Sequence, residues 1–371
     1  MHWGVDAHRL AGQRLGVGRY IEYLVKHWRS MMQTGDQCTL FTREPYDGTG
    51  WEPSPSIHVR TLAPTLSPSV WQHGLLPRFT RGIDVLFCPS YSVPVTYSGK
   101  CVVAIHSMNE VESGTHPWWY KLTYSKLYRF SADRADRIIV PSESTRQDIE
   151  RHYGIHADKV DIVVQGADES FQPITDETVK RATRIRFIGE DRPYIVFVGK
   201  LSTRRNIPAL IEAFAIVKRR TKLPHALLLV GPNHVGVPLE ELVVRHGVQG
   251  SVIQTDGRFA SHREVPPIYA SADLYVNASS YEGFSMTLVE ALSCGTPVVT
   301  VNRAALAEIA AGAAEFVEEP TPEALADAIE RVLSDPALSR SLGERGYKRA
   351  DAFRWDVTAR QTLDVLRRVA A

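Results

Sequence analysis

The strongest constraint in this chain is an alternation repeated along nearly its whole length. Short, continuously apolar runs rich in β-branched residues give way to segments with helical periodicity. The run Tyr194-Ile195-Val196-Phe197-Val198 is apolar without a break, as a strand covered on both faces must be. Ile207, Leu210, Ile211, Phe214 and Val217 then fall on one face of a helix. Strand, helix and strand in repeated succession give parallel sheets covered by helices, an α/β architecture. Strands are expected at residues 39–42, 57–61, 83–88, 101–105, 137–140 and 160–164, and again at 194–198, 226–230, 252–254, 274–276 and 298–301. Helices are expected at about 17–32, 118–132 and 144–153. Others are expected at 324–333 and 342–369, with Pro320, Pro322 and Pro336 as punctuation.

A chain of 371 residues exceeds what one core ordinarily serves, so two Rossmann-like domains are expected. The segment 166–191, polar and charged after Phe171-Gln172-Pro173, reads as the linker. The expected division is residues 1–172, residues 173–350, and a terminal helix at 351–371 packing back toward the first domain. Two such domains should face a ligand cleft at the carboxyl ends of their sheets. With 43 basic and 42 acidic side chains, the chain lacks the strongly positive surface that bulk nucleic-acid binding needs. Cys38, Cys88, Cys101 and Cys294 are scattered, without metal-ligand spacing, and read as buried thiols in a reducing compartment. The start, Met1 to Asp6, has no basic n-region or apolar h-region, and no apolar stretch is long enough to span a bilayer. A cytoplasmic protein is expected.

Four segments carry candidate chemistry. Glu282-Gly283-Phe284-Ser285-Met286-Thr287-Leu288-Val289-Glu290 follows the strand at 274–276 and runs from a strand-end loop into a helix. The first amides of such a helix are free to bind hydroxyls or phosphate. Glu282 would lie in the loop and Glu290 on the helix. They read either as two holds on one elongated ligand or as solvated surface glutamates. Gly199-Lys200-Leu201-Ser202-Thr203-Arg204-Arg205-Asn206 follows the strand at 194–198. Lys200 and Arg205 are suited to a diphosphate, and Asn206 is a good N-cap for the next helix; surface bases beside a loop are the alternative. Gly16-Val17-Gly18-Arg19-Tyr20 opens a helix, but position 21 is Ile21 where a dinucleotide fingerprint would have a third glycine. His106 ends the strand at 101–105 and could equally be a structural hydrogen-bonder.

Taken together, Glu282 to Glu290, the following Ser293-Cys294-Gly295-Thr296-Pro297-Val298-Val299, the Gly199–Asn206 segment, the Gly16-Val17-Gly18-Arg19-Tyr20 loop and His106 resemble the retaining family-four glycosyltransferases. Val140-Pro141-Ser142-Glu143-Ser144 and Val164-Gln165-Gly166-Ala167-Asp168 extend the resemblance, which is weakest from 44 to 79. It implies the GT-B fold and hexose transfer from a nucleotide-diphosphate sugar, GDP-mannose in the first instance, to a glycan or lipid-linked acceptor. The flavour is that of mannosyl- and rhamnosyl-transferring members that build surface polysaccharides. By resemblance, Glu282, His106, Lys200 and Arg205 serve catalysis. Gly16, Gly18, Gly199, Phe284, Ser285, Met286, Thr287 and Glu290 bind the donor, with Gly166 at the hinge. Arg258 is expected to border the base pocket. The chain departs from the family pattern at Ser285, where glycine is common, and at Ser107, where aspartate often follows the histidine. Its two phosphate cations are also interchanged, with Lys200 at the usual arginine position and Arg205 at the usual lysine position.

No Asp-x-Asp pair occurs, so neither a metal nor another cofactor is expected, and the diphosphate charge should be met by Lys200, Arg205 and helix N-termini. The aromatic and basic residues from Trp118 to Arg129 suit either a peripheral contact with the inner face of the plasma membrane or ordinary packing into the first domain. Two rival functions stay open: a nucleotide-sugar epimerase of the same fold, and a non-catalytic sugar-nucleotide-binding protein.

Overall fold

The computed structural model describes residues 1–10, 16–46, 51, 54–109, 118–233, 236–255 and 264–371; for 118–122 only the backbone is described. The chain divides into two compact units, residues 1–165 with 354–371, and residues 166–353.

The first unit runs β1 (His2–Asp6), α1 (Val17–Met31), β2 (Gln37–Thr42) and β3 (Ile57–Thr61). A single turn, α2 (Pro68–Val70), leads through irregular helix to Phe79. Then come β4 (Val85–Cys88), β5 (Cys101–Ala104), α3 (Trp118–Arg134), β6 (Arg137–Val140), α4 (Glu143–Tyr153) and β7 (Val160–Ile162). Every strand pair is parallel, in the order β3-β2-β1-β4-β5-β6-β7. The central strands β4 and β5 are buried throughout, whereas β3, at the sheet edge, buries only Ile57. All four cysteines of the chain are free and buried.

The second unit begins with α5 (Glu177–Ile188) and β8 (Tyr194–Val198), followed by α6 (Ile207–Arg220), β9 (Ala226–Val230), α7 (Leu239–Arg245) and β10 (Val252–Thr255). It continues with α8 (Val265–Ala270), β11 (Leu274–Asn277), α9 (Met286–Ser293), β12 (Val298–Val301) and α10 (Ala304–Ala310). β13 (Glu315–Val317), α11 (Pro322–Ser334) and α12 (Pro336–Ala350) complete it. Its strands are again parallel, in the order β10-β9-β8-β11-β12-β13. Ile207, Leu210, Ile211, Phe214 and Val217 of α6 lie in one core with Ile195, Phe197, Leu227 and Leu229. Each such side chain contributes roughly 1.5–3 kcal/mol on burial.

Both sheets start at an interior strand, build outward on one side, then return to build on the other. The order reverses between β1 and β4 in the first unit and between β8 and β11 in the second. Crevices outside the strand ends at such reversals are where doubly wound sheets bind ligands.

The boundary lies seven residues earlier than the sequence suggests. Ala167 donates its N–H to Phe353 O, and the Phe171 ring packs on Tyr269, so 166–172 belongs with the second unit. The expected linker is also not plain coil, because 177–188 forms α5. Asp176 caps it through Thr178 N, Gly189 ends it in the left-handed region, and it buries only Thr183 and Ile188. A helix so exposed has no apolar stripe to announce it. The terminal helix α13 (Trp355–Ala370) lies in the first unit on α1, with Trp28 Nε1 donating to Ala359 O at 2.9 Å and Tyr23 stacked on Trp355.

Candidate functional site

In the second unit the reversal point is flanked by the loops that leave β8 and β11. The β8 loop turns at Gly199, whose φ of 142° is a region that side chains disfavour. A Cβ there would lie 1.5 Å from Arg205 Nη1, so the absent side chain is what lets the guanidinium lie across the loop. Gly231, at φ 145°, makes the matching concession at the end of β9, where a Cβ would lie 2.1 Å from Gly199 O. Asn206 occupies the N-cap position of α6, but its side chain does not cap. It adopts a left-handed φ of 54° and donates Nδ2 to Pro320 O at 2.8 Å, which corrects the expected capping role.

The β11 loop is tied to the β8 loop across the reversal point. Ser280 donates its N–H and its hydroxyl to Arg204 O, and Arg204 Nη1 donates to Tyr281 O. Glu282 stands in this loop, 8% exposed. Its Oε1 lies 3.4 Å from Arg204 Nη1 and 3.6 Å from Arg205 Nε, and accepts from Ser279 Oγ at 3.1 Å. Lys200 is exposed and has no ion-pair partner among the described residues. Three cations therefore stand in these loops with one carboxylate, leaving a net charge of about two positive units for an anion to meet.

α9 begins where Ser285 Oγ accepts from Leu288 N at 3.3 Å, and the same hydroxyl is bonded to Asn277 Nδ2 and Thr287 Oγ1, each at 3.2 Å. Among the described residues, the Met286 and Thr287 amides meet no acceptor, as expected of a helix start open to a ligand. Phe284 packs edge-on against Phe353. Glu290 is only 2% exposed, and its Oε2 accepts from Tyr269 OH at 2.9 Å. Burial, reinforced by the neighbouring Glu290 charge, holds the Tyr269 phenol far above its usual range and keeps it a donor. Neither glutamate is a solvated surface carboxylate.

In the first unit, Gly16 precedes α1 with φ 53°, and Gly18 is buried in its first turn. His106 follows β5. Its Nε2 lies 2.8 Å from Pro89 O and its Nδ1 2.9 Å from Gln165 Nε2. A carbonyl partner makes Nε2 the protonated nitrogen, and the Gln165 amide then donates to Nδ1. Gln165 thus fixes the imidazole in a chain where Ser107 replaces the aspartate; the Ser107 hydroxyl is bonded instead to Tyr91 OH at 3.2 Å. The ring packs edge-on to Tyr20 at 4.9 Å. Burial lowers the His106 pKa from 6.5 to about 4, so the imidazole is neutral at pH 7.

This depression carries a stability consequence. The unfolded chain takes up the His106 proton below pH 6.5, whereas the folded chain takes it up only near pH 4. Stability from this group is therefore full above pH 6.5 and falls by about 3 kcal/mol as pH drops through that window. Thermal melts of wild type and His106→Gln between pH 7.5 and pH 4.5 should converge toward acid. Parallel curves would contradict the neutral, half-buried imidazole.

The structure thus brings together Gly199, Arg205, Glu282 and the start of α9 with Phe284, Ser285, Met286 and Thr287, and places Glu290 one turn behind. Lys200 shares the β8 loop, and Gly16, Gly18 and His106 belong to the first unit. Arg258 lies outside the described residues. Arg204, Tyr269 and Gln165 were not singled out by the sequence. Only Arg204 offered a signal, a second guanidinium beside Arg205.

Residues 15–171 match the model "Glycosyltransferase Family 4" and residues 179–349 the model "Glycosyl transferases group 1". The chain is 32% identical over 249 residues to a D-inositol 3-phosphate glycosyltransferase of Corynebacterium urealyticum, covering 63% of this chain and 57% of that protein. It is 26% identical over 237 residues to O-antigen chain mannosyltransferase B of Escherichia coli, covering 63% and 61%. The chain thus spans about three fifths of the length of these relatives. Sucrose-phosphate synthase from Thermosynechococcus elongatus superposes with a TM-score of 0.79 at 22% identity, over 99% of this chain and 98% of that one. Two parallel doubly wound sheets, the two matching family models and this fold likeness place the chain in the family-four glycosyltransferases of GT-B fold.

Proposed function

We propose that this protein transfers a hexose, mannose-like or rhamnose-like, from a nucleotide-diphosphate sugar to a hydroxyl of a glycan or lipid-linked acceptor, with retention at the anomeric carbon. The carrying observation is the convergence of Arg204 and Arg205 on Glu282 in loops that also present Lys200 and the open start of α9. The three cations are suited to hold the diphosphate and to stabilise it as it leaves. The bond from the anomeric carbon to the diphosphate breaks as the acceptor oxygen bonds on the same face. The acceptor proton passes to the departing phosphate oxygen. Glu282, already held by two guanidiniums, positions the sugar and supports its developing positive charge electrostatically. The amides from Phe284 to Thr287 meet hydroxyl or phosphate oxygens, and Glu290 serves the ribose. Gly16 and Gly18 allow close backbone approach, and His106, with both nitrogens engaged, is a positioning residue. The protein's own cations meet the phosphate charge, so no metal is required.

GDP-mannose is the proposed donor, in keeping with the similarity to a mannosyltransferase. Contact with an anionic membrane surface would use Lys126, Arg129 and Phe130, all exposed on α3. A thermal-shift panel of nucleoside diphosphates and their sugars, with and without EDTA, tests the proposal. One base and sugar should stabilise the protein selectively, by about 2.7 kcal/mol at a hundredfold excess over Kd, unaffected by chelation. Absence of any shift would refute donor binding, and conversion of the donor without an acceptor would favour an epimerase.

A further inference from the structure

The reversal point of the first sheet, between β1 and β4, holds a connected polar cluster. Asp6, the last residue of β1, is fully buried, and both its oxygens are engaged. Oδ1 lies 2.7 Å from His8 Nδ1, and Oδ2 accepts from Gln72 Nε2 at 2.7 Å. Gln72 is fixed in turn, donating to Ser92 O at 3.0 Å and accepting from Ser92 Oγ at 3.0 Å. In the neutral imidazole, the carboxylate partner places the proton on Nδ1 and leaves Nε2 as the acceptor. Nε2 has no partner among the described residues and is not enclosed; the side chain is 11% exposed and backed by the Trp71 ring at 6.0 Å.

The neighbouring strand end is built to the same purpose. Arg9 Nε donates to Ser90 Oγ at 3.4 Å, bridging the ends of β1 and β4 across the reversal. Tyr91, next in the chain, holds a left-handed φ of 67°, which costs a non-glycine residue on the order of 1 kcal/mol or more. An oriented imidazole, a bridging arginine and a strained backbone thus meet at one sheet reversal, the place where doubly wound sheets bind ligands.

We propose that His8, oriented by Asp6, accepts a hydrogen bond from a non-reacting hydroxyl of the acceptor sugar. This rests on the glycosyltransferase reading and adds to it a specificity-determining residue in the first unit. Asp6 is a positioning residue. Changing it to asparagine keeps an oxygen for Gln72 but turns an N–H toward His8 Nδ1. The tautomer then flips, and Nε2 becomes a donor.

The test uses the donor selected by the nucleotide panel, with methyl α-mannoside as the hydroxyl-bearing probe. His8→Ala and Asp6→Asn should each raise the KM for the probe about tenfold or more. Hydrolysis of donor by water, donor KM and the thermal shift given by nucleoside diphosphate should stay at wild-type values. A probe KM within twofold of wild type in both variants would overturn the proposal. So would a joint change in probe KM, donor KM and melting temperature, which marks a structural clamp. Failure of nucleoside diphosphate to stabilise even the wild-type protein would overturn the transferase reading, and this proposal with it.

Discussion

Replacing Glu282 with glutamine is expected to cut turnover by about a hundredfold or more, while nucleoside diphosphate binds at least as tightly as before. The two effects have opposite signs because Glu282 does two opposed things. Its carboxylate sits between 3.4 and 3.6 Å from Arg204 and Arg205 and cancels part of their field. Removing that charge leaves the full guanidinium pair for a diphosphate, so affinity for the leaving group does not fall. The sugar, however, loses the fixed negative charge that supports positive charge at its anomeric carbon. Glutamine preserves the side-chain volume and can still accept from Ser279 Oγ, so gross misfolding should not mask the result. Calorimetric titration with nucleoside diphosphate, paired with turnover at saturating donor, separates the two quantities. Turnover within threefold of wild type would remove Glu282 from the mechanism.

The uneven legibility of this chain has physical causes. Strands such as Tyr194–Val198 and Ala226–Val230 were readable to the residue because burial on both faces demands unbroken apolar runs. The helix α6 was readable because five large side chains share one stripe. α5 was not, since it buries only Thr183 and Ile188 and its sequence satisfies a helix through caps and propensity alone. The site divides the same way. Glu282, Arg205 and the start of α9 lie in local segments whose spacing carries the information. The partner of Glu290 is 21 residues away and that of His106 is 59 away, so only the folded sheet brings them together. Ser285 shows the limit of reading a single departure. The serine that stands where the family commonly has glycine is bonded through its hydroxyl to Leu288 N, Asn277 and Thr287, as the cap of α9. The Asp6–His8 pair stood in plain sequence only two residues apart. Its meaning depends on Gln72 and Trp71, which no local pattern connects to it.

Gly199→Ala should weaken nucleoside diphosphate binding by about ten- to a hundredfold, the scale of one charge-assisted contact. It should also destabilise the fold by about 1–3 kcal/mol through the disfavoured φ of 142°. The methyl group would arrive 1.5 Å from Arg205 Nη1 and 2.8 Å from Cζ. Those atoms are the far end of a flexible side chain, so the guanidinium moves aside and the fold survives. The displacement breaks the approach of Arg205 to Glu282 and takes one cation out of the cluster. Gly231→Ala provides the contrast, because its methyl would meet the Gly199 carbonyl oxygen at 2.1 Å, where only backbone can yield. That variant should lose far more stability and serves as the measure of a backbone clash at this point. Arg205→Ala supplies the other comparison, losing the same affinity with little change in melting temperature. If Gly199→Ala melted lower but bound nucleoside diphosphate like wild type, Arg205 would have no part in holding the diphosphate. The charge of the β8 loop would then rest on Lys200 and Arg204 alone.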